Sequence, residues 1–241
     1  MKKYLIMALA LMGLSTSAMA IDNEPEEGFT TQVFMGLSAS NVKGYFDYGI
    51  KPGGTAGIKL EYMLPNAHGT YINGGLDWVM KGCKNTLSLS DLHGADDILQ
   101  DAKLTTRLCP HYLEIPIHVG FHYNFSEEIG VYGELGPYFA IGVGGKLKTS
   151  VDADGLWTQA FEYDYPIFKK DNSRDYFQRW DAGLVFRVGA EYNQHYSLNL
   201  GCDWGLTDMW RNEYRDIQFE GHKSISTIKN FNLTLSFGYR F

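Results

Sequence analysis

The stretch that decides the fold is HYLEIPIHVGFHYNFSEEIGVYGELGPYFAIGV, residues 111–143. Taken two residues at a time, it separates into faces. Leu113, Ile115, Ile117, Val119, Phe121, Tyr123 and Phe125 share one face of a first strand. Ile129, Val131, Gly133, Leu135, Pro137, Phe139, Ile141 and Val143 share one face of a second. A helix returns its apolar residues every three or four positions, whereas a period of two marks a strand with two different faces. Residues 126–128 alone separate the runs, so the two strands form a hairpin.

The same alternation recurs over 31–39, 56–64, 72–80, 180–192, 196–206 and 231–241. The eight apolar faces hold 49 positions and no charge, where the chain's 20% charged content would place about ten. The charges sit on the interleaved positions: Lys59, Glu61, Asp77, Glu114, Glu134, Asp181, Arg187, Glu191, Asp203 and Arg240. Lys81 and Lys146 continue that parity just beyond their strands.

Two architectures put charge on one face and hydrocarbon on the other. A soluble antiparallel sheet turns the apolar face inward, and a transmembrane barrel turns it outward. Three features favour the barrel. The charged face is broken by glycines such as Gly57, Gly120, Gly136, Gly189 and Gly201, which make room in a narrow interior. Links alternate, short at 65–71, 126–128 and 193–195, long at 40–55, 81–112, 144–179 and 207–230. Aromatic residues gather at strand ends, where amphipathic rings meet a membrane interface. About ten residues, tilted by roughly 40°, span the apolar band of about 25 Å. The expected fold is all-β: an antiparallel up-and-down transmembrane barrel of eight strands, or ten if part of the third long link also crosses.

Composition agrees once the pattern is seen. A mean hydropathy of -0.24 suggests a soluble chain, but it averages an uncharged face, a charged face and polar loops. A 15% aromatic content excludes a disordered chain. A net charge of -7 argues against a nucleic-acid partner. A single long apolar run excludes a bundle of membrane helices. That run belongs to residues 1–20, which read as a signal peptide: Lys2 and Lys3, an apolar core over 4–14, and a cleavage site closing at Ala20. Residues 21–28 form an acidic lead-in and 29–241 the barrel domain of a Gram-negative envelope protein.

The twelve interleaved charges, seven acidic and five basic, are expected to form a paired network that fills the lumen, since charges away from water need partners. A proton or ion path through them is the alternative. Cys83 and Cys109 stand at the two feet of the second long link, and a disulfide between them is expected. Cys202 falls on the lipid face and should be free. Pro116 and Pro137 should meet across the hairpin and weaken its ladder. Asp91, His93, Asp96, Asp97 and Asp101 cluster in the second link without a recognised calcium-loop spacing, and 95–104 reads as a short helix with an acidic face. Asp152-Ala153-Asp154-Gly155 reads as a hairpin turn. His222-Lys223-Ser224 has the spacing of a lipid-deacylase pair but lies in the fourth long link. No catalytic residue, metal site or cofactor is expected.

Several strands resemble the PorT family of outer-membrane β-barrel proteins. Tyr112-Leu113-Glu114-Ile115-Pro116-Ile117 is similar to that family's YLEIP strand, and Gly133-Glu134-Leu135-Gly136-Pro137-Tyr138 to its GPY strand. Asp181-Ala182-Gly183-Leu184 and the final Leu233–Phe241 resemble later strands. The resemblance covers roughly residues 28–241 and leaves the long loops unmatched. It implies a secretion-accessory or structural role, the family's name-giving member being linked to type IX protein secretion. Tyr239 and Phe241 resemble the terminal signal read by the barrel assembly machinery. The expected partners are therefore outer-membrane lipid, that machinery and an envelope or secretion protein. A small channel or ligand-binding barrel, and a lipid-modifying membrane enzyme, are the alternative functions.

Overall fold

In the computed structural model, which describes residues 28–43, 49–88, 103–152, 163–168, 177–209 and 228–241, the chain forms antiparallel strands. They are β1 (Gly28–Lys43), β2 (Lys51–Met63), β3 (Thr70–Met80), β4 (Cys83–Ser88), β5 (Lys103–Asn124), β6 (Ile129–Asp152), β7 (Tyr163–Pro166), β8 (Trp180–Tyr192), β9 (Tyr196–Gly205) and β10 (Lys229–Arg240). Eight of them close a ring in the order β1-β2-β3-β5-β6-β8-β9-β10, and β10 returns to β1 from Gln32↔Arg240 to Lys43↔Lys229. Closure removes the free edges that an open sheet would carry.

The faces are inverted relative to a soluble protein. Met35 is 69% exposed and Leu200 58%, while Glu114 and Asp77 are each 1% exposed inside the ring. A continuous exposed apolar band of this kind is a lipid contact surface. Aromatic rings collect at the short-turn end, where Phe29 meets Tyr62, Tyr123 meets Phe125, and Tyr239 meets both Tyr196 and Phe241. The turn at Asn193 and Gln194 takes positive φ at both residues (53° and 59°), the geometry that joins twisted strands most tightly. No helix among the described residues is long and apolar enough to cross a membrane.

Strands β4 and β7 do not enter the ring. β4 pairs with the upper part of β5 and β7 with the upper part of β6, so β4-β5-β6-β7 forms a four-stranded sheet projecting beyond the long-loop end. The ten-stranded alternative thus gives way to a ring of eight with an outer extension.

Two expectations are corrected by this extension. Lys146 does not face the lumen. The register slips between His111↔Gly144 and Tyr112↔Gly142, leaving Val143 as an extra residue on β6. Such a bulge reverses the parity of everything beyond it, and Lys146 emerges on the outer face paired to Asp164 at 2.9 Å. The Cys83–Cys109 disulfide is absent too: both thiols are free. Cys83 stands opposite Leu108, so Cys109, one residue on, points to the other face of the sheet. Cys202 likewise forms no disulfide among the described residues.

Pro116 stands opposite Tyr138, next to Pro137, and the β5–β6 ladder is interrupted just below them, between Pro116↔Tyr138 and Val119↔Leu135. The last residues of the expected helix, Lys103 and Leu104, belong to β5. The signal peptide, the lead-in up to residue 27, the acidic cluster, the turn beyond Asp152 and the His222-Lys223-Ser224 triplet lie outside the described residues.

Candidate functional site

The interior of the ring is the candidate site, because alternation on every strand delivers its polar residues there. Eleven of the twelve charges expected in the lumen are placed in it, all but Lys146. They assemble in three tiers.

The central tier is organised by Glu134 of β6. Lys59 donates to it from β2 at 3.2 Å and Tyr71 from β3 at 3.1 Å, and the Asn73 amide also donates to it. His118 of β5 lies 3.4 Å away and Arg187 of β8 3.7 Å away. The other guanidinium nitrogen of Arg187 donates to Asp77 at 2.8 Å. One carboxylate therefore gathers side chains from four other strands across the axis.

The tier towards the long loops is organised by Lys81. Its ammonium lies 2.5 Å from Glu114 and 3.3 Å from Asp181, and 4.1 Å from the centre of the Tyr138 ring. Asp181 also accepts from Tyr138 at 3.0 Å and from Asn230 at 2.9 Å, while Asp203 accepts from Asn232 at 2.9 Å. At the short-turn end Arg240 binds Glu61 and Glu191 with its two terminal nitrogens, each at 2.9 Å. Beside this clasp opens a cavity of about 160 Å³, lined among others by His122, His195 and Phe241. Tyr239 and Phe241, the expected assembly signal, belong to the aromatic end of the barrel.

Above the polar tiers the lumen becomes apolar. Ile167 and Phe168, which follow β7, pack with Met209 and Ile228 against Tyr112, Tyr138 and Val185. Phe168 fits because the position below it is Gly142: a Cβ there would lie 2.4 Å from the ring. The same device seats the large tyrosines lower down, with Tyr71 over Gly120, Tyr132 over Gly189 and Tyr138 over Gly183. A narrow barrel accommodates such rings only over strand positions without a side chain.

Several residues of this interior were not anticipated. Lys51 is buried at the outer end and donates to the Lys81 carbonyl at 3.2 Å. It restores the fifth cation that Lys146 does not supply, so seven carboxylates face five cations among the described residues. His118 and His122 are buried beside Glu134 and Glu191. Both share the parity of Glu114 on β5, which was the signal available to find them.

With the ring and its polar interior defined, the chain belongs to a known class. It is a member of the outer membrane protein beta-barrel domain family, whose profile matches residues 21–211, and it resides in the cell outer membrane. Among solved structures it is similar to a major outer membrane protein from Thermus thermophilus, at 12% identity over 89% of this chain and 100% of that one, with a TM-score of 0.42. It is similar also to Ail, the attachment invasion locus protein of Yersinia pestis, at 14% identity over 90% and 100% of the two chains, with a TM-score of 0.39. The E. coli outer membrane protein W gives 14% identity over 90% and 100%, with a TM-score of 0.38. No curated protein matches the chain.

Proposed function

We propose that the protein is a closed, non-enzymatic barrel that anchors an interaction surface at the outer side of the membrane. The observation that carries this reading is the filled axis of the lumen. From the Arg240 clasp through Glu134 and Lys81 to Phe168, side chains from opposite walls meet one another. A barrel of eight strands has an interior just filled by side chains, and here they are locked by ion pairs and then capped by hydrocarbon. Mass is invested instead in β5 and β6, 22 and 24 residues long, which carry the projecting sheet. The motifs similar to the PorT family support a secretion-accessory or envelope-assembly role for that surface.

Two measurements test this. Purified protein in planar bilayers should show no unitary conductance; discrete steps that change with Arg187→Gln would replace the proposal with a small channel. Shortening the segments 89–102 and 153–162 while the barrel still shifts on a gel when boiled should abolish partner recovery from native outer membrane. Undiminished recovery would count against the projecting end as the working surface.

A small ligand-binding barrel is the second reading, and the cavity beside Arg240 favours it. His122, 3% exposed, borders that cavity with both ring nitrogens lacking a hydrogen-bond partner among the described residues. Calorimetric titration of this protein with periplasmic extract fractions, repeated on His122→Phe, separates the readings. Heat that vanishes in the variant supports the binding barrel.

A further inference from the structure

The outer face of the projecting sheet carries a row of like charges built by register. Lys84 on β4 stands opposite Arg107 on β5, and Arg107 stands opposite Lys148 on β6. Directly opposed like charges on neighbouring strands are destabilising, and here three lie side by side. Lys146 lies two residues below Lys148, and Lys103 four residues above Arg107, on the same face. The ladder also places two acidic residues at register positions beside these five cations. Asp164 accepts from Lys146 at 2.9 Å and is the register partner of Lys148, and Asp152 is the register partner of Lys103.

The direction of this face follows from its neighbours. Leu108 and Leu147, which alternate with the cations, pack into the apolar cap of the lumen. The cations therefore point away from the barrel axis. Followed downward, their face continues without interruption into Leu113, Ile115, Ile141 and Val143, the band exposed to lipid. Trp78, opposite Leu113, and Trp180, opposite Ile141, mark the upper edge of that band. Lys84, Arg107, Lys146 and Lys148 stand four to six register positions above Leu113, about 10 to 15 Å beyond this edge, and Lys103 stands higher still. Long lysine and arginine side chains reach back toward the interface, where the phosphates of an acylated saccharide headgroup lie.

We propose that this face binds the phosphate groups of an outer-leaflet glycolipid whose acyl chains lie against Ile115, Phe139 and Ile141. The argument for a lipid over a soluble polyanion is continuity. The basic row and the hydrocarbon band are one face of the same two strands, and a single molecule with tails and phosphates matches both. Arg107 stands at the centre of the row, and its planar fork pairs with phosphate oxygens bidentately. Lys84 and Lys148 flank it as point charges.

The test uses the folded full barrel in nanodiscs of phosphatidylcholine doped with either bis-phosphorylated or dephosphorylated lipid A, the retained lipid being counted by native mass spectrometry. The native protein should retain the phosphorylated form at least tenfold over the dephosphorylated one, and raising sodium chloride from 50 to 500 mM should erase most of that preference. The combined variant Lys84→Gln, Arg107→Gln, Lys148→Gln should lose the preference while still shifting on a gel when boiled. Should that variant fail to fold, Arg107→Lys keeps the charge, removes the fork, and should lower the preference several-fold. Equal retention of the two lipids, a preference indifferent to salt, or an unchanged preference in the folded variant overturns the proposal. So does a soluble sulfated polysaccharide that binds undoped discs as tightly as lipid A is retained. Occupation of the row by the chain's own aspartates from 89–102 would show as equal retention.

Discussion

The two ends of the lumen are closed by different chemistry supplied from different parts of the chain. At the short-turn end the closure is ionic. Arg240 spans Glu61 and Glu191, and all three project from barrel strands. At the outer end it is hydrocarbon. Ile167, Phe168, Met209 and Ile228 come from the segments between strands. The clasp is carried on paired backbone, whereas the cap is carried on segments outside the ring ladder. The outer closure can therefore be disturbed by substitution with every ring strand still paired, and the charged tiers beneath are what still bars passage.

The largest expected effect follows from the dryness of the cap. Cys83 is buried among its residues, and that burial pushes the thiol up to about 12. The thiolate is the reactive form, and an ordinary cysteine titrates near 8.5. At pH 8 the Cys83 thiolate is therefore about a thousandfold or more scarcer than that of a free cysteine, and its alkylation should be slower by that factor. The rate should climb about tenfold per pH unit as pH rises towards 11. Cys109, on the opposite face, should react readily with a maleimide, read by peptide mass spectrometry. Equal rates for the two would mean that the cap is open in solution.

Next in size is the central hub. Glu134→Gln leaves Lys59 and Arg187 buried with their shared carboxylate gone, and breaking a buried pair in this way costs about 3–5 kcal/mol. Denaturant unfolding of the barrel in detergent or bilayers should register that loss. A change below about 1 kcal/mol would show that the tiers are held by packing rather than charge. Phe168→Ala should cost about 3 kcal/mol, the lower end of the range for a truncated buried ring. It should also raise the alkylation rate of Cys83 without creating conductance, because the Lys81 and Glu134 tiers lie below it. Conductance in this variant would mean that the cap alone seals the barrel.

The ring was legible from sequence because its physics is periodic. Each strand is lipid on one side and lumen on the other, so parity sorts Glu114 from Ile115 with no knowledge of the partner strand. The same rule failed at Lys146 because parity holds only to the next bulge, and one extra residue at Val143 reverses it. The cysteine pairing failed for a related reason. Loop closure brings Cys83 and Cys109 to one sheet, but adjacent register positions point oppositely. His118 and His122 obey the same parity, but a pattern read from formal charges does not include them. Ile167 and Phe168 were beyond it: a cap contributed by an irregular segment has no period to detect, and its burial depends on Gly142 of another strand.

The smallest expected effect compares two ion pairs of one chemistry. Lys59–Glu134 and Lys146–Asp164 are both lysine–carboxylate contacts, at 3.2 and 2.9 Å. The first is sealed in the lumen, and the second stands on the projecting sheet with the lysine side chain 60% exposed. The hydrogen bond from Lys146 holds the Asp164 carboxyl below its usual value. A carboxyl depressed in the folded state contributes its stabilisation above the pKa of the unfolded chain and loses it as pH falls through the folded pKa. Water and salt screen an exposed pair, so Asp164→Asn should leave the unfolding midpoint at neutral pH unchanged within error. The pair should be visible instead in the titration of the Asp164 carboxyl followed by NMR, which should move upward in Lys146→Gln. A large destabilisation by Asp164→Asn would mean that this pair is shielded from water in the membrane, and that the projecting sheet lies lower against the lipid than its register implies.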